Sequence, residues 1–339
     1  MIDVLVVGGG PIGLATALGA SAAGLRVEVL EPRPSPIDKA CGEGLMPGAL
    51  AALAALGVDP VGTPLHGVRY VRGPHVAEAR FPGEPGRGVR RLELQRALDA
   101  AVADRGIPVH RERAEAIRAD VEGVTVGLRR ARYLVGADGL HSVVRRAAGL
   151  DRPDRGTSRY GLRRHYRLRP RTDLIEVHWA EAAEAYLTPV GDDRVGVALL
   201  SARRAPWSEQ LAAFPAVRAL LADAEPVSAV RGAGPLRQRV AAVARGRIAL
   251  VGDAAGSIDA ITGEGLSLGL AAAAALTGCL RDDRLEDYPG RYRQVTWRSH
   301  ALTRGLLAAA GLPPLRRAIV PTASAFPWAY RSAIGLLAG

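Results

Sequence analysis

The sequence predicts an α/β protein: a doubly wound, nucleotide-binding domain with a mixed β-sheet domain inserted into it. Three observations lead there. A continuous apolar run, DVLVVG (3–8), passes straight into GGGPIG. Two later segments, YLVGADGLHSVVRRAAGL (133–150) and GRIALVGDAAGSIDAITGEGLSLGLAAAAAL (246–276), repeat the order strand, glycine turn, helix. Between them the apolar residues change to period two. Continuous apolar strands feeding helices belong to parallel sheets covered on both faces; alternation belongs to antiparallel strands with one face in the core.

The first unit is the most explicit. Gly8, Gly10 and Gly13 stand in G-x-G-x-x-G register after the first strand, a small-residue helix runs to Gly24, and LRVEVLE ends at Glu31. The spacing has a mechanical reading. Gly8 permits the tight turn, Gly10 lets backbone approach a pyrophosphate, and Gly13 lets helix and strand pack closely. The helix N-terminus presents N–H donors and a positive dipole end to phosphates. Glu31, 18 residues beyond Gly13, is placed to accept from a ribose hydroxyl. This unit binds a dinucleotide but does not choose between NAD and FAD.

Composition narrows the rest. A chain of 339 residues can bury a full core. The net charge of +11 comes from 44 arginines and one lysine scattered along the chain, with aromatic residues at only 4%. A nucleic-acid groove needs stacking platforms beside its basic residues, so no nucleic-acid partner is expected. Cys41 and Cys279 fit neither a zinc spacing nor a disulfide framework, which argues for no metal site and a reducing cytoplasm. The chain opens on a strand, so no signal peptide is expected. The longest uncharged apolar run, 265–280, holds 16 residues and falls short of the ~20 that span a bilayer.

The two later strand–turn–helix segments decide the cofactor. Each places an aspartate, Asp138 or Asp253, where an apolar strand ends. GADGLHSVVR resembles the DG fingerprint of flavoprotein aromatic hydroxylases, and VGDAAG…TGEG resembles the GD motif in the form found in geranylgeranyl reductases and flavin halogenases. The resemblance covers nearly the whole chain and implies FAD. It places Gly8, Gly10, Gly13, Glu31 and Arg33 at the adenosine and pyrophosphate half. Arg91 and Gln95, in RRLELQRAL, match the Arg-x-x-L helix beside the phosphates and ribitol. Asp138 and Asp253 are implied at the ribitol and pyrophosphate, and Gly263, Gly265 and Leu266 at the isoalloxazine. Ala114 is implied as a backbone contact to adenine. The bland alternative for both aspartates is a helix cap.

ACGEGL (40–45) sits where reductases of this superfamily carry a Cys-Gly pair against the flavin ring. Cys41 is then either a small polarisable wall of the reaction chamber or a buried structural thiol. Lys39 and Glu43 either orient the loop, meet cofactor phosphates or form a solvated pair. Halogenases of the superfamily need a lysine downstream of this loop and a W-x-W-x-I-P strand; the chain has neither, since the aligned strand reads EAYLTP (184–189). The same strand departs from the geranylgeranyl reductase pattern Y-x-W-x-F-P at Glu184, Tyr186 and Thr188. His178, Tyr186 and His165 are the polar groups of the alternating segments, with His178 and Tyr186 joining Cys41 as candidate catalytic residues.

The expected boundaries are 1–157 for the first part of the FAD-binding domain, with an excursion to the substrate side near 62–90. Residues 158–240 form the substrate sheet, 241–300 return to the FAD-binding domain, and 301–339 are a helical tail. That tail, interrupted by Pro313, Pro314, Pro321 and Pro327, either packs on the core or lies on a membrane surface. Overall the chain resembles hydroxylases that act with type III polyketide synthases on alkylresorcinol-like phenols. The resemblance implies a monooxygenase taking electrons from NAD(P)H and acting on a small hydrophobic aromatic substrate. A reductase saturating isoprenoid double bonds and a flavin-binding protein without turnover remain open, as does the oligomeric state.

Overall fold

The computed structural model describes residues 2–153 and 156–338. The apolar run at the N-terminus forms β1 (Ile2–Val7), and the glycine turn leads into α1 (Pro11–Ala22), with Pro11 at the first helical position where no N–H is needed. β2 (Val27–Leu30) follows. The chain then leaves this sheet for β3 (Gly67–Arg72) and β4 (His75–Arg80) before returning through α2 (Arg91–Asp104), β5 (Val109–His110) and β6 (Arg129–Gly136). The alternating segments form β7 (Tyr160–Arg167), β8 (Leu174–Trp179), β9 (Ala183–Gly191) and β10 (Arg194–Ser201). β11 (Ile248–Leu250) and α3 (Gly265–Arg281) close the first domain. Three helices end the chain: α4 (Tyr288–Gly311), α5 (Pro313–Ala325) and α6 (Pro327–Ala338).

The first sheet has the parallel order β11–β6–β1–β2–β5. Antiparallel strands Val124–Val126 and Ala244–Arg245 pair with β6 and β11. Val4, Leu5 and Val6 of β1 are fully buried, as are Leu134 and Val135 of β6 and Leu276 of α3. Burial on both faces is why β1 reads as an unbroken apolar run.

The second sheet runs β7–β10–β9–β8–β3–β4, extended beyond β7 by short strands. It is antiparallel except at β8 and β3, which pair in parallel from Leu174↔Gly67 to His178↔Val71. One face carries Val195, Val197 and Leu199 under the short helices Trp207–Leu211 and Pro215–Leu220. The other carries Ile175, Val177 and Trp179 and packs against α5 and α6.

The prolines of the tail do not break it uniformly. Pro313 and Pro327 open helices, but Pro321 lies inside α5. A buried chain of ion pairs ties α5 to the sheet: Arg316 Nη2 lies 2.6 Å from Glu184 Oε1, and Arg159 bridges Glu184 to Asp259, also at 2.6 Å. Glu184 is fully buried.

Candidate active site

The dinucleotide turn is held by sterics and by a buried carboxylate. Gly8 has φ +111°, and a Cβ on Gly13 would stand 1.8 Å from the Gly8 carbonyl oxygen, so both positions require glycine. Glu31 Oε2 accepts from Gly9 N–H at 2.9 Å and from Arg33 Nη2 at 2.8 Å; Oε1 accepts from Arg33 N and Nε at 3.0 and 2.7 Å. Burial raises the Glu31 pKa, but the bonds from Arg33 and Gly9 outweigh it and hold the carboxyl below its ordinary value. Four donors fill the four lone-pair sites of this carboxylate. Glu31 thereby braces the turn, and a ribose hydroxyl would reach it by displacing the exposed Arg33 fork. Gln95 also works from beneath, donating to Gly9 O at 2.8 Å and to Asp99 Oδ1 at 3.1 Å.

Above the turn lies a cavity of 540 Å³. Its polar end is lined by Gly10, Arg33, Arg91, Asp138 and Asp253, and by Gly263, Gly265 and Leu266 at the N-terminus of α3. Lys39 Nζ lies 3.0 Å from Asp253 Oδ2 across this end, so the expected Lys39–Glu43 pair is not formed. Asp138 Oδ2 accepts from Val143 and Val144 N–H at 2.6 and 3.3 Å, capping the short helix Val143–Ala147, while Oδ1 is buried without a partner. Arg91 Nη1 is likewise buried and unpartnered, and burial lowers the guanidinium pKa. Arg91 and Asp138 both line the cavity, and each keeps one buried polar atom without a protein partner, a donor and an acceptor that suit a ligand with anionic and hydroxyl groups. The phosphates and ribityl hydroxyls of FAD supply both, so these residues fit that cofactor.

The CGEG loop forms the next wall. Glu43 takes φ +62° and turns its carboxylate inward, where Oε1 accepts from Arg91 N–H at 2.8 Å and Oε2 lies 2.6 Å from His165 Nε2. Arg163 Nε stands 3.8 Å from the same carboxylate. Thr188 Oγ1 donates to Gly42 O at 2.8 Å, and Glu43 N–H donates to Cys41 Sγ at 3.4 Å. The loop is thereby pinned with Cys41 facing the cavity. Burial pushes the Cys41 thiol up, with Arg91 opposing it, so the group stays a neutral thiol near pH 7.

The far end is apolar: Met46, Val68, Ile175 and Val177 from the sheet side, Ile334 and Leu337 from α6, with Tyr70 and Tyr186 among them. Tyr186 Oη donates to Ile261 O at 2.9 Å. Burial, then the Glu184 charge, push its phenol well above the ordinary value. His178 is a correction. Side chains alternate along β8, so His178 shares the opposite face with Glu176, 3.8 Å away, and lies outside the cavity lining. Gly8, Gly13, Glu31 and Gln95 also lie outside it, supporting the turn from below, and Ala114 packs against the first core.

Sequence reasoning missed the Glu43–His165 pair and the Arg159–Asp259 pair. Their members stand 122 and 100 residues apart, and no local pattern links them.

Comparison with known proteins agrees with this geometry. The FAD binding domain family matches residues 1–298. A menaquinone reductase of Mycolicibacterium smegmatis is 29% identical over 363 aligned residues, covering 95% of this chain and 87% of that protein. A ubiquinone hydroxylase of Rhodospirillum rubrum is 27% identical over 313, covering 81% and 71%. The solved flavoprotein/dehydrogenase of Cytophaga hutchinsonii superposes with a TM-score of 0.85 at 18% identity, covering 99% of this chain and 92% of that one, which establishes the shared fold. With a family match over most of its length, and a cavity whose open polar groups fit the cofactor, the chain belongs to the FAD binding domain family and is an FAD-dependent oxidoreductase.

Proposed function

We propose that the chain is a monooxygenase that hydroxylates an electron-rich phenol bearing an apolar substituent, with NAD(P)H as electron donor. The observation that carries this reading is Tyr186. Its hydroxyl proton is committed to Ile261 O, which leaves an oxygen lone pair to accept from a substrate hydroxyl at the edge of an aliphatic chamber. The reaction balances as one ring C–H becoming C–OH, with O₂, NAD(P)H and a proton consumed and water and NAD(P)⁺ released.

Bound FAD supplies the passage of electrons from NAD(P)H to oxygen. Arg91 would offer its unpartnered guanidinium N–H to a phosphate, and Asp138 Oδ1 would accept from a hydroxyl of the cofactor. Tyr186 orients the phenol, staying neutral because burial opposes its ionisation. The aliphatic walls from β3, β8 and α6 exclude water and raise the strength of every polar contact inside. Cys41, neutral, fills the space beside the ring-facing loop.

The test is oxygen uptake and NADPH oxidation by FAD-loaded protein given an alkylated resorcinol, with the product weighed by mass spectrometry. A gain of one oxygen atom, labelled from ¹⁸O₂, supports the reading; full product formation without oxygen overturns it.

One observation favours a second reading, reduction of an isoprenoid double bond. A neutral thiol on the flavin-side loop is a proton donor for a carbon receiving hydride, and a menaquinone reductase is among the relatives. Cys41→Ser separates the two: the hydroxylase loses little turnover, whereas the reductase loses most of it with FAD still bound.

A further inference from the structure

We propose that the three C-terminal helices seat the protein on an anionic lipid surface, with α6 as the partition between lipid and cavity. Residues 288–338 contain seven arginines and no aspartate or glutamate. Six of the seven are exposed: Arg291, Arg293, Arg298, Arg304, Arg317 and Arg331. Among the described residues only Arg317 of these six has an acidic partner within ion-pair distance, Glu181. The remaining five have no acidic partner within ion-pair distance among the described residues.

The same helices hold the exposed apolar surface. Seven of the fourteen large hydrophobic side chains exposed among the described residues lie here, including every exposed tryptophan and phenylalanine: Trp297, Phe326 and Trp328. Trp297 has the Arg298 guanidinium 5.5 Å from its ring centroid. Exposed aromatic side chains beside arginine are the pairing that suits a headgroup layer, with rings at the acyl boundary and guanidinium groups on phosphates.

Helix α6 links this surface to the site. Trp328, Arg331 and Leu336 are exposed on its outer face, while Ile334 and Leu337 on its inner face line the cavity. One helix, 12 residues long, therefore separates the apolar chamber from the outside. No helix among the described residues is long and apolar enough to cross a membrane, so the contact is one of lying on the surface. Charge complementarity selects the occupant. A second copy packed face to face would set five exposed arginines that lack an acidic partner among the described residues against five more, whereas anionic headgroups neutralise them.

The inference does not rest on the phenol reading, because it is tested without turnover. FAD-loaded full-length protein is sedimented with vesicles of phosphatidylcholine alone, or of phosphatidylcholine with phosphatidylglycerol. Binding is expected only with phosphatidylglycerol and should weaken as salt rises. Arg298→Gln and Arg331→Gln should each lower partitioning about fivefold, and Trp328→Ser by about tenfold or more. Unchanged flavin absorbance and melting temperature confirm that each variant is folded. Equal binding to both vesicle types, or partitioning that no variant alters, overturns the proposal. So does concentration-dependent self-association without vesicle binding, which would assign the face to a second copy.

Discussion

Arg316 and Arg317 are neighbours on α5, and replacing each by methionine should have opposite consequences. The Arg316 guanidinium donates to Glu184 Oε1 at 2.6 Å, to Ala183 O and Ala180 O at 2.8 Å each, and stands 5.3 Å from the Trp179 ring. Its loss leaves the fully buried Glu184 with Arg159 as its remaining cation, and Arg159 is already shared with Asp259. Breaking a buried pair of this kind costs about 3–5 kcal/mol. Methionine refills much of the stem volume, so the cost is that of the lost ion pair and of the Ala180 and Ala183 carbonyls left without this donor. Arg317 pairs with Glu181 at 3.2 Å, both side chains more than 60% exposed, and such pairs contribute about 0–1 kcal/mol. Urea denaturation of FAD-saturated protein, followed by tryptophan fluorescence, measures both. Adding Glu184→Gln to Arg316→Met should cost less than the sum of the singles, since they share one interaction. Equal midpoints for Arg316→Met and Arg317→Met would refute the assignment of α5 docking to the buried pair.

Gly13→Ala should abolish FAD retention on gel filtration, because its Cβ would fall 1.8 Å from the Gly8 carbonyl oxygen and the turn cannot close around it. Arg91→Met should weaken FAD binding roughly tenfold or more, the loss of one charge-assisted hydrogen bond, measured by flavin fluorescence titration. Glu264, buried against Ser299, has its pKa raised by that burial from an ordinary 4.5. The folded state then holds a proton the unfolded state has released, so stability falls as pH rises from the ordinary value through the raised one. Glu264→Gln should flatten that part of the melting-temperature profile; an unchanged slope would show that Glu264 is not its source.

What was legible in the sequence followed from whether the cause is local. The first strand, its glycines and α1 are set by residues within one turn of each other, and the structure places them at Ile2–Val7 and Pro11–Ala22. The facing of His178 was also written locally: Ile175, Val177 and Trp179 alternate with Glu176 and His178, so the polar pair shares the face away from the apolar chamber. Reading His178 as a single residue, without its strand neighbours, hid this. The inward turn of Glu43 was not legible, because its reason is His165 on β7, 122 residues away, together with the Arg91 N–H. Glu31 shows a third case. Its position was clear from the motif, but its four donors were not, since two residues on stands Arg33, an exposed side chain free in principle to point elsewhere.

The parallel pairing of β8 with β3 makes the substrate sheet a property of two distant stretches of chain. Residues 67–80 are synthesised long before β8 and have no partner in the first sheet, so the β3 edge of this hairpin waits for residues 174–179. An exchange of 158–240 with a relative would leave β3 facing a foreign edge, its Arg69 without Glu176 at 2.8 Å. Such chimeras should therefore collect as aggregates unless 62–90 travels with the insert.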